Sequence, residues 1–157
     1  MNKIVDRAWI ENLLRRNRYL VLATTDGSRP WIAPLEYILD SELNFYFFSP
    51  TDVLHVQHLE QVREVAVAVF EQEQPEYSPG MSATLNGVQI QATVSKLAES
   101  DYPDLIVAAI KALKPPMPPY AVFKVEPVRW YVPKIENGVN KRKEVVFHRD
   151  NPKSLEK

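Results

Sequence analysis

The sequence predicts a mainly β protein in which six or seven short antiparallel strands close, or nearly close, into a barrel with flanking helices. First, short segments rich in β-branched and aromatic residues recur along the 157 residues. Second, the segment 88–95, VQIQATVS, alternates apolar and polar side chains as a strand with one buried face does. Third, most links between successive strands are short, which favours antiparallel pairing because parallel strands need long crossovers.

Three segments interrupt the strand pattern and predict helices. Near the N-terminus, Val5, Trp9 and Leu13 lie four residues apart, which is the spacing of an amphipathic helix packed on a core. Segments 52–62 and 101–113 predict two further helices. The proline-rich run PPMPP follows segment 101–113 and ends its helix, because proline cannot continue a helix.

The strands follow one another within a single domain that spans residues 1–157. A turn at 26–30, DGSRP, joins the first two strands. Glu126 and Pro127 separate the last two, and KEVVFHR in the charged C-terminal tail, about 141–157, is expected to pair at a sheet edge. The predicted strands are 19–25, 31–39, 43–49, 64–72, 88–95, 121–125 and 128–132.

Composition and charge exclude several functional classes. The formal net charge is −1, so no overall basic field attracts nucleic acid or acidic lipid. No apolar run approaches the roughly eighteen residues needed to cross a bilayer, and the charged N-terminal segment lacks the apolar centre of a signal peptide. Cysteine is absent, which excludes disulfides, thiolate metal sites and cysteine nucleophiles. We therefore expect a cytoplasmic protein with no nucleic acid or membrane partner.

The three histidines do not predict a metal site. His55 and His58 lie three apart on a predicted helix and share a face, but no third ligand accompanies them, and we expect them at the surface or at an interface. His148 is isolated in the tail, where the basic run 141–143 is also expected to be solvated. The aromatic run 45–48 is better explained as barrel core than as a platform for single-stranded nucleic acid. The GxGxxG, GxxxxGKS/T, GxSxG and HExxH patterns are all absent from the sequence.

Four stretches in a fixed order carry a resemblance to a known family. They are the hairpin LATTDGSRPWIAPLEYILD, the strand–helix–strand LNFYFFSPTDVLHVQHLEQVREVAVAVF, the strand GVQIQATVSKL and the closing strands YAVFKVEPVRWY. From about residue 18 to 146 the chain resembles the FMN-binding split-barrel superfamily that includes pyridoxamine 5′-phosphate oxidase. The resemblance implies an antiparallel, six- to seven-stranded Greek-key split β-barrel that works as a homodimer, with flavin mononucleotide (FMN) at the subunit interface.

The resemblance also implies which residues hold the flavin. The flavin ring would lie against backbone groups of the second predicted strand. The FMN phosphate would approach the loop that follows the third predicted strand. Two aromatic residues of the last strand would lie near the flavin of the partner subunit. The candidate cofactor-binding residues are Ala33, Pro34, Leu35, Glu36, Phe48, Ser49, Pro50, Thr51, His55, Trp130 and Tyr131.

Two positions depart from the family's pattern at the phosphate. His55 replaces a lysine that commonly grips the phosphate, and Val53 stands where a hydroxyl residue often sits. A phosphomonoester carries about −1.5 to −2 charges, so it would favour the imidazolium form of His55, whereas Asp52 would repel it. Loss of the lysine and the hydroxyl removes charge-assisted hydrogen bonds of about 1.5–3 kcal/mol each, so we expect FMN binding to be weakened.

These features predict an FMN-binding flavoprotein or oxidoreductase that acts on a small molecule of unknown identity, with no catalytic residue predicted. One alternative is a non-enzymatic split-barrel binding protein with a degraded cofactor pocket, which Asp52, Val53 and His55 motivate. A second alternative is haem binding, as in some relatives, with His55, His58 or His148 as the axial ligand. Deazaflavin binding, another specialisation of the family, is left open because no residue distinguishes it.

Overall fold

A computed structural model of the chain describes residues 7–71, 86–137 and 139–146. The first elements are α1 (Arg7–Arg16), β1 (Tyr19–Thr25), β2 (Pro30–Glu36), β3 (Ile38–Leu39), β4 (Phe45–Pro50) and α2 (Leu54–Leu59). The remaining elements are β5 (Glu64–Glu71), β6 (Asn86–Lys96), α3 (Asp104–Leu113), β7 (Tyr120–Glu136) and β8 (Val139–Val145). A short 3-10 turn, Glu99–Asp101, precedes α3.

The eight described strands belong to one sheet, and every pairing in it is antiparallel, as predicted. The hydrogen-bonded order is β2-β1-β5-β6-β7-β4-β3, and β8 pairs with β7. β2 and β3 are consecutive in sequence yet lie at opposite ends of this order, so the sheet must roll until its two edges approach each other. The fold is therefore the predicted mainly β, split barrel. We call the gap between β2 and β4 the split.

A bend at Tyr37 brings the two edges together and divides the segment 31–39, which the sequence predicts as one strand. β2, before the bend, pairs with β1, whereas β3, after it, pairs with β4 at the other edge. Tyr37 donates its backbone N–H to the carbonyl of Arg18 at 3.1 Å and its buried hydroxyl to the carbonyl of Leu14 at 2.5 Å. The prediction of a single strand is wrong because contacts with α1 and the residues after it, which the local pattern does not contain, fix the bend.

Alternate side chains of the strands fill the barrel. The apolar residues of β6 are buried and its glutamines are exposed, as the alternation in the sequence predicts. On β4, Phe45 and Phe47 lie in the core, where the ring of Phe47 stacks on that of Phe123 with centroids 5.0 Å apart. Tyr46 points the other way and packs with Ile106 of α3 in a second cluster. The aromatic run is therefore core, as predicted.

β7 is one continuous strand, so the prediction of two strands separated around Pro127 is wrong. Pro127 pairs with Ala92 of β6, but the next pair along the ladder joins Arg129 to Gln91, which leaves Val128 as an extra residue. This bulge allows a proline, which has no N–H to donate, to remain within the strand.

The ends of the described chain differ from the prediction in detail. β8 contains the basic run 141–143, so these residues form a strand paired with β7 rather than a solvated tail. The three predicted helices are present, and α2 and α3 are shorter than the predicted segments 52–62 and 101–113. Val5, His148 and the rest of the predicted tail beyond position 146 lie outside the described residues. None of the helices in the described ranges is both long enough and apolar enough to span a membrane.

We expect Tyr37→Phe to lower the free energy of unfolding by about 1 kcal/mol, because the change removes a buried hydrogen bond that holds the bend. Urea unfolding followed by circular dichroism measures the loss. Tyr19→Phe, the same change at a ring that is 59% exposed, is the matched control and should shift stability by less than about 0.5 kcal/mol. Equal effects of the two changes would contradict the role assigned to the Tyr37 hydroxyl.

Candidate functional site

Helix α2 contacts strands on both sides of the split. It follows β4 directly, packs against β1 and β2, and buries Val56 and Leu59 in the barrel core. The helix has only six residues, and Val53 at its N-cap makes no side-chain hydrogen bond to it. Because so short a helix is unstable by itself, tertiary contacts must hold α2 in position.

Two buried histidines of α2 bind hydroxyl groups on opposite sides of the split. His55 Nε2 lies 2.9 Å from Ser49 Oγ of β4, and His58 Nδ1 lies 3.1 Å from Thr24 Oγ1 of β1. His55 is 8% exposed and His58 is 4% exposed. We call these four residues the histidine clamp, because they tie one short helix to strands on both sides of the barrel's opening.

The expectation that His55 and His58 lie at the surface or at an interface is wrong. Their three-residue spacing does place them on one side of the helix, as predicted. That side faces the protein interior, however, where each ring finds a hydroxyl partner. Local spacing could not show this, because Thr24 and Ser49 come from strands that only the barrel brings to the helix.

The structure favours a neutral ring at His55, where the sequence analysis expects a cation. Burial lowers the pKa of His55 below its usual value, and the neighbouring His58 lowers it further. The neutral imidazole is therefore the favoured form of His55 in this structure. Asp26, in the turn after β1, has a lowered pKa chiefly because its carboxylate accepts hydrogen bonds from the backbone N–H groups of Arg29 and Ser28.

The residues at the end of β4 do not fit the phosphate group of FMN. Segment 51–55 contains no lysine or arginine, and the His55 ring is neutral and buried. The hydroxyl of Ser49 is already engaged by His55, and Val53 offers no donor from its side chain. Asp52 is exposed and adds a negative charge. A dianionic phosphate would therefore find no cationic side chain in this segment.

The free edge of β2 suits the planar ring of a flavin better than the end of β4 suits its phosphate. Among the described strands, β2 pairs with β1 alone, so alternate backbone groups of β2 point into the split. Among the predicted residues of this strand, Ala33 and Leu35 face the barrel interior. Pro34 and Glu36 face outward, and Glu36 forms an exposed ion pair with Arg18.

The other predicted site residues lie in several environments. Phe48 is half-buried in the cluster beneath α3, and the backbone N–H of Thr51 donates to the carbonyl of Pro119 at 3.3 Å. Pro50 ends β4 and is half-buried. Trp130 is 6% exposed and packs in the core, with its ring centroid 6.4 Å from that of Phe45. Its position leaves little of the indole available to a partner subunit.

Tyr131 lies on the outer surface of the sheet instead. Directly paired residues on neighbouring strands share a face, so the pairing register defines two rows across the outside of the barrel. We call the surface formed by these rows the outer face. One row is Pro34, Val21, Ala68, Gln89 and Tyr131, and the next is Ile32, Ala23, Ala66, Gln91 and Arg129.

Sequence reasoning missed several residues at the split. Trp31 of β2 and Leu54, the first residue of α2, are large apolar side chains that remain 45% and 42% exposed. Thr24, the second hydroxyl of the clamp, also went unnoticed. An aromatic residue directly after the DGSRP turn was a visible signal for Trp31, whereas nothing in the local sequence distinguishes Thr24 from other strand threonines.

The described histidines do not favour a metal or haem site. In the described ranges, no group of three or more histidine, cysteine, aspartate or glutamate side chains could hold a metal ion. His55 and His58 each have a ring nitrogen bound to a hydroxyl inside the protein. Both rings are buried, so neither presents a ring nitrogen at the surface where a haem iron could bind it.

A cavity of about 310 Å³ lies near the start of β4, away from α2. Leu43 at its wall is fully buried with a φ of 65°, an uncommon conformation for a residue other than glycine. Of the predicted site residues, Trp130 alone borders this cavity. The wall is formed by Arg7, Glu42, Leu43, Asn44, Pro127, Val128, Arg129, Trp130, Glu144, Val145 and Val146.

We expect Thr24→Val to destabilise the protein by about 1–3 kcal/mol, because a ring nitrogen of His58 would be buried without a partner. Urea unfolding measures the loss. Thr93→Val, at a half-buried threonine on the other side of the sheet, is the matched control and should cost less than about 0.5 kcal/mol. Equal stability of the wild type and Thr24→Val would contradict the clamp.

Several solved structures share this architecture at low sequence identity. An FAD-binding protein from Mesorhizobium loti is 17% identical, with a TM-score of 0.65 and coverage of 83% of this chain and 93% of that chain. HutZ, the haem storage protein of Vibrio cholerae, is 16% identical, with a TM-score of 0.63 and coverage of 80% and 93%. A haem-binding protein from Mycobacterium smegmatis is 13% identical, with a TM-score of 0.66 and coverage of 90% and 59%. These likenesses concern the fold.

The sequence itself identifies the family. Among curated proteins, no sequence matches this chain. A family model described as pyridoxamine 5′-phosphate oxidase, however, matches residues 8–133. The matched range includes the split, the clamp and the two rows of the outer face. The chain therefore belongs to the pyridoxamine 5′-phosphate oxidase family.

Proposed function

We propose that this chain is a flavoprotein that binds FMN at the split, between the free edge of β2 and the end of β4. The free edge of β2 carries the proposal, because its unpaired backbone groups can hydrogen-bond the polar rim of a planar ring. Flavins are cofactors that the family commonly binds. An oxidoreductase acting on a small molecule is the corresponding enzyme class, and a cytoplasmic location stays a prediction.

Exposed apolar side chains at the split support a ring-binding role. Trp31 and Leu54 come from β2 and α2, the two elements that border the opening, and both are large and substantially exposed. Exposed apolar surface of this kind is typical of ligand sites, because a planar ring that covers it removes it from water. The ring rather than the phosphate would then supply most of the affinity for FMN.

We expect FMN and riboflavin to bind with affinities within about tenfold of each other, because the neutral His55 ring gives the phosphate no charge-assisted hydrogen bond. Titration of purified protein with each flavin, followed by flavin fluorescence, measures both constants. His55→Lys breaks one bond of the clamp and so weakens both complexes alike, but it should raise the ratio of FMN affinity to riboflavin affinity by about tenfold or more.

Measurable riboflavin binding and an unchanged circular dichroism spectrum would show that His55→Lys is folded. Asp52→Asn removes an exposed negative charge beside α2 and should also raise this ratio, and Leu113→Lys on α3 is the control with the same charge change. Absence of binding for both flavins to the wild type would contradict the proposal.

A non-enzymatic binding protein with a degraded cofactor pocket is the second candidate. The buried, neutral pair of His55 and Ser49 favours it, because a structural hydrogen bond occupies the groups expected to hold the phosphate. Two neighbouring residues also favour this candidate. Val53 has no side-chain donor for a phosphate, and the negative charge of Asp52 would repel an anion. This candidate predicts no change in fluorescence when flavin is added.

The outer face supports a homodimer. Its two rows begin with small or apolar residues on β2, β1 and β5, and Ile32 at one end is 64% exposed. The rows continue to Tyr131 and Arg129 on β7. A second copy of the chain seated on this face would cover the apolar surface and would bring its own Tyr131 toward the first copy.

We expect the wild type to sediment as a dimer, and Ala66→Glu to weaken dimerisation by at least about tenfold, because a symmetric contact would bury the new charge on both copies. Analytical ultracentrifugation over a concentration series measures the change. Leu113→Glu introduces the same charge at an exposed position of α3 and should leave the dimer intact. A monomeric wild type, or a dimeric Ala66→Glu variant, would contradict this interface.

A further inference from the structure

We propose that the histidine clamp is a proton-sensitive latch, in which protonation of the buried His55 imidazole releases α2 from β4. The latch itself needs no ligand, whereas its effect on flavin binding rests on the proposed function. Release of α2 from β4 would free the β4 side of the split from the helix. Access to the split would then depend on pH in the range in which histidine titrates.

The partners of the two imidazoles are suited to neutral rings. β4 presents the hydroxyl of Ser49 and the ring of Phe47, whose centroid is 6.2 Å from that of His55. β1 presents the hydroxyl of Thr24 to His58. A charged imidazole buried among hydroxyls and an aromatic ring would lose its hydration without gaining a carboxylate.

Few charged groups face the clamp in the part of the chain that the structure describes. The Asp26 carboxylate, in the turn after β1, interacts electrostatically with His58. That carboxylate already accepts two backbone N–H bonds, at 2.8 Å from Ser28 and 2.6 Å from Arg29. The two imidazoles also face each other, so a charge on one opposes a charge on the other. On the flanks of α2, Asp52 and Glu60 are exposed to water.

The helix depends on its remaining tertiary contacts once the bond of His55 to Ser49 is lost. It is six residues long and has no side-chain hydrogen bond at its N-cap, so it cannot persist through local interactions alone. Burial of Val56 and Leu59 and the bond of His58 remain, but the bond of His55 is directional and fails when its ring turns toward water. Local opening of α2 is therefore the expected response to protonation, with the sheet intact.

The sign of the pH dependence follows from burial. A closed state that excludes the charged form of His55 binds fewer protons than an open state in which the ring is hydrated. The closed state therefore loses stability as the pH falls through the ordinary imidazole pKa of about 6.5. Above that pH the latch is closed.

Hydrogen exchange of the flavin-free protein tests the latch. We expect amides of the segment 52–62 to exchange faster at about pH 5.5 than at about pH 7.5, after correction for intrinsic rates, by up to about tenfold, because the His55 imidazole is excluded from protonation in the closed state. The segment 88–95 of β6 should be unchanged. In the variant His55→Gln/His58→Gln, which keeps neutral hydrogen-bonding groups, the acceleration should disappear although Asp26, Asp52 and Glu60 remain.

Titration of the imidazole resonances of the wild type by NMR is a second measurement that does not depend on the variant folding. The His55 ring should titrate with a midpoint below about pH 6.5, and the amide chemical shifts of α2 should change with the same midpoint. Equal acceleration in the wild type and the variant, equal acceleration in β6, or a midpoint for His55 at or above about 6.5 would each overturn the latch. All these measurements use protein without flavin, so a failure of the flavin proposal leaves their outcome unaffected.

Discussion

Two hydrogen bonds between buried imidazoles and buried hydroxyls determine where α2 lies, and the rest of the candidate site depends on that position. The bonds run from one turn of helix to β4 and to β1, which lie on the two sides of the split. A buried ring nitrogen without a partner costs about 1–3 kcal/mol, so each bond strongly favours this placement of the helix. The end of β4 and the edge of β2 become one site because α2 spans the distance between them.

The clamp also limits what the site can bind. A histidine that holds the helix by a neutral hydrogen bond cannot at the same time offer a positive charge to a phosphate. In this chain the structural role of His55 prevails, since burial lowers its pKa and Ser49 occupies its Nε2 atom. The family relationship therefore holds for the barrel, while the segment after β4 lacks the cationic side chains that a phosphate would need.

Strand alternation assigns neighbouring residues to opposite environments, and this divides the site predicted from the resemblance. Trp130 faces the core while Tyr131 faces outward, and Ala33 faces inward while Pro34 lies on the outer face. A motif quoted as a run of consecutive letters therefore contains residues with unrelated contacts. The outer face collects the outward members from five strands into one surface, which is why the dimer proposal depends on the register rather than on any single motif.

The sequence by itself determined the mainly β class, most of the strands and the approximate positions of the three helices, because alternation, turn residues and helical spacing are local signals that the chain carries directly. β1 and the alternation of β6 match the prediction closely. Only the tertiary structure decided the bend at Tyr37, the continuity of β7 through Val128 and the burial of His55 and His58. Each of these depends on a partner far away in sequence, a carbonyl of α1, a neighbouring strand or a strand hydroxyl, and a local pattern contains no information about such partners.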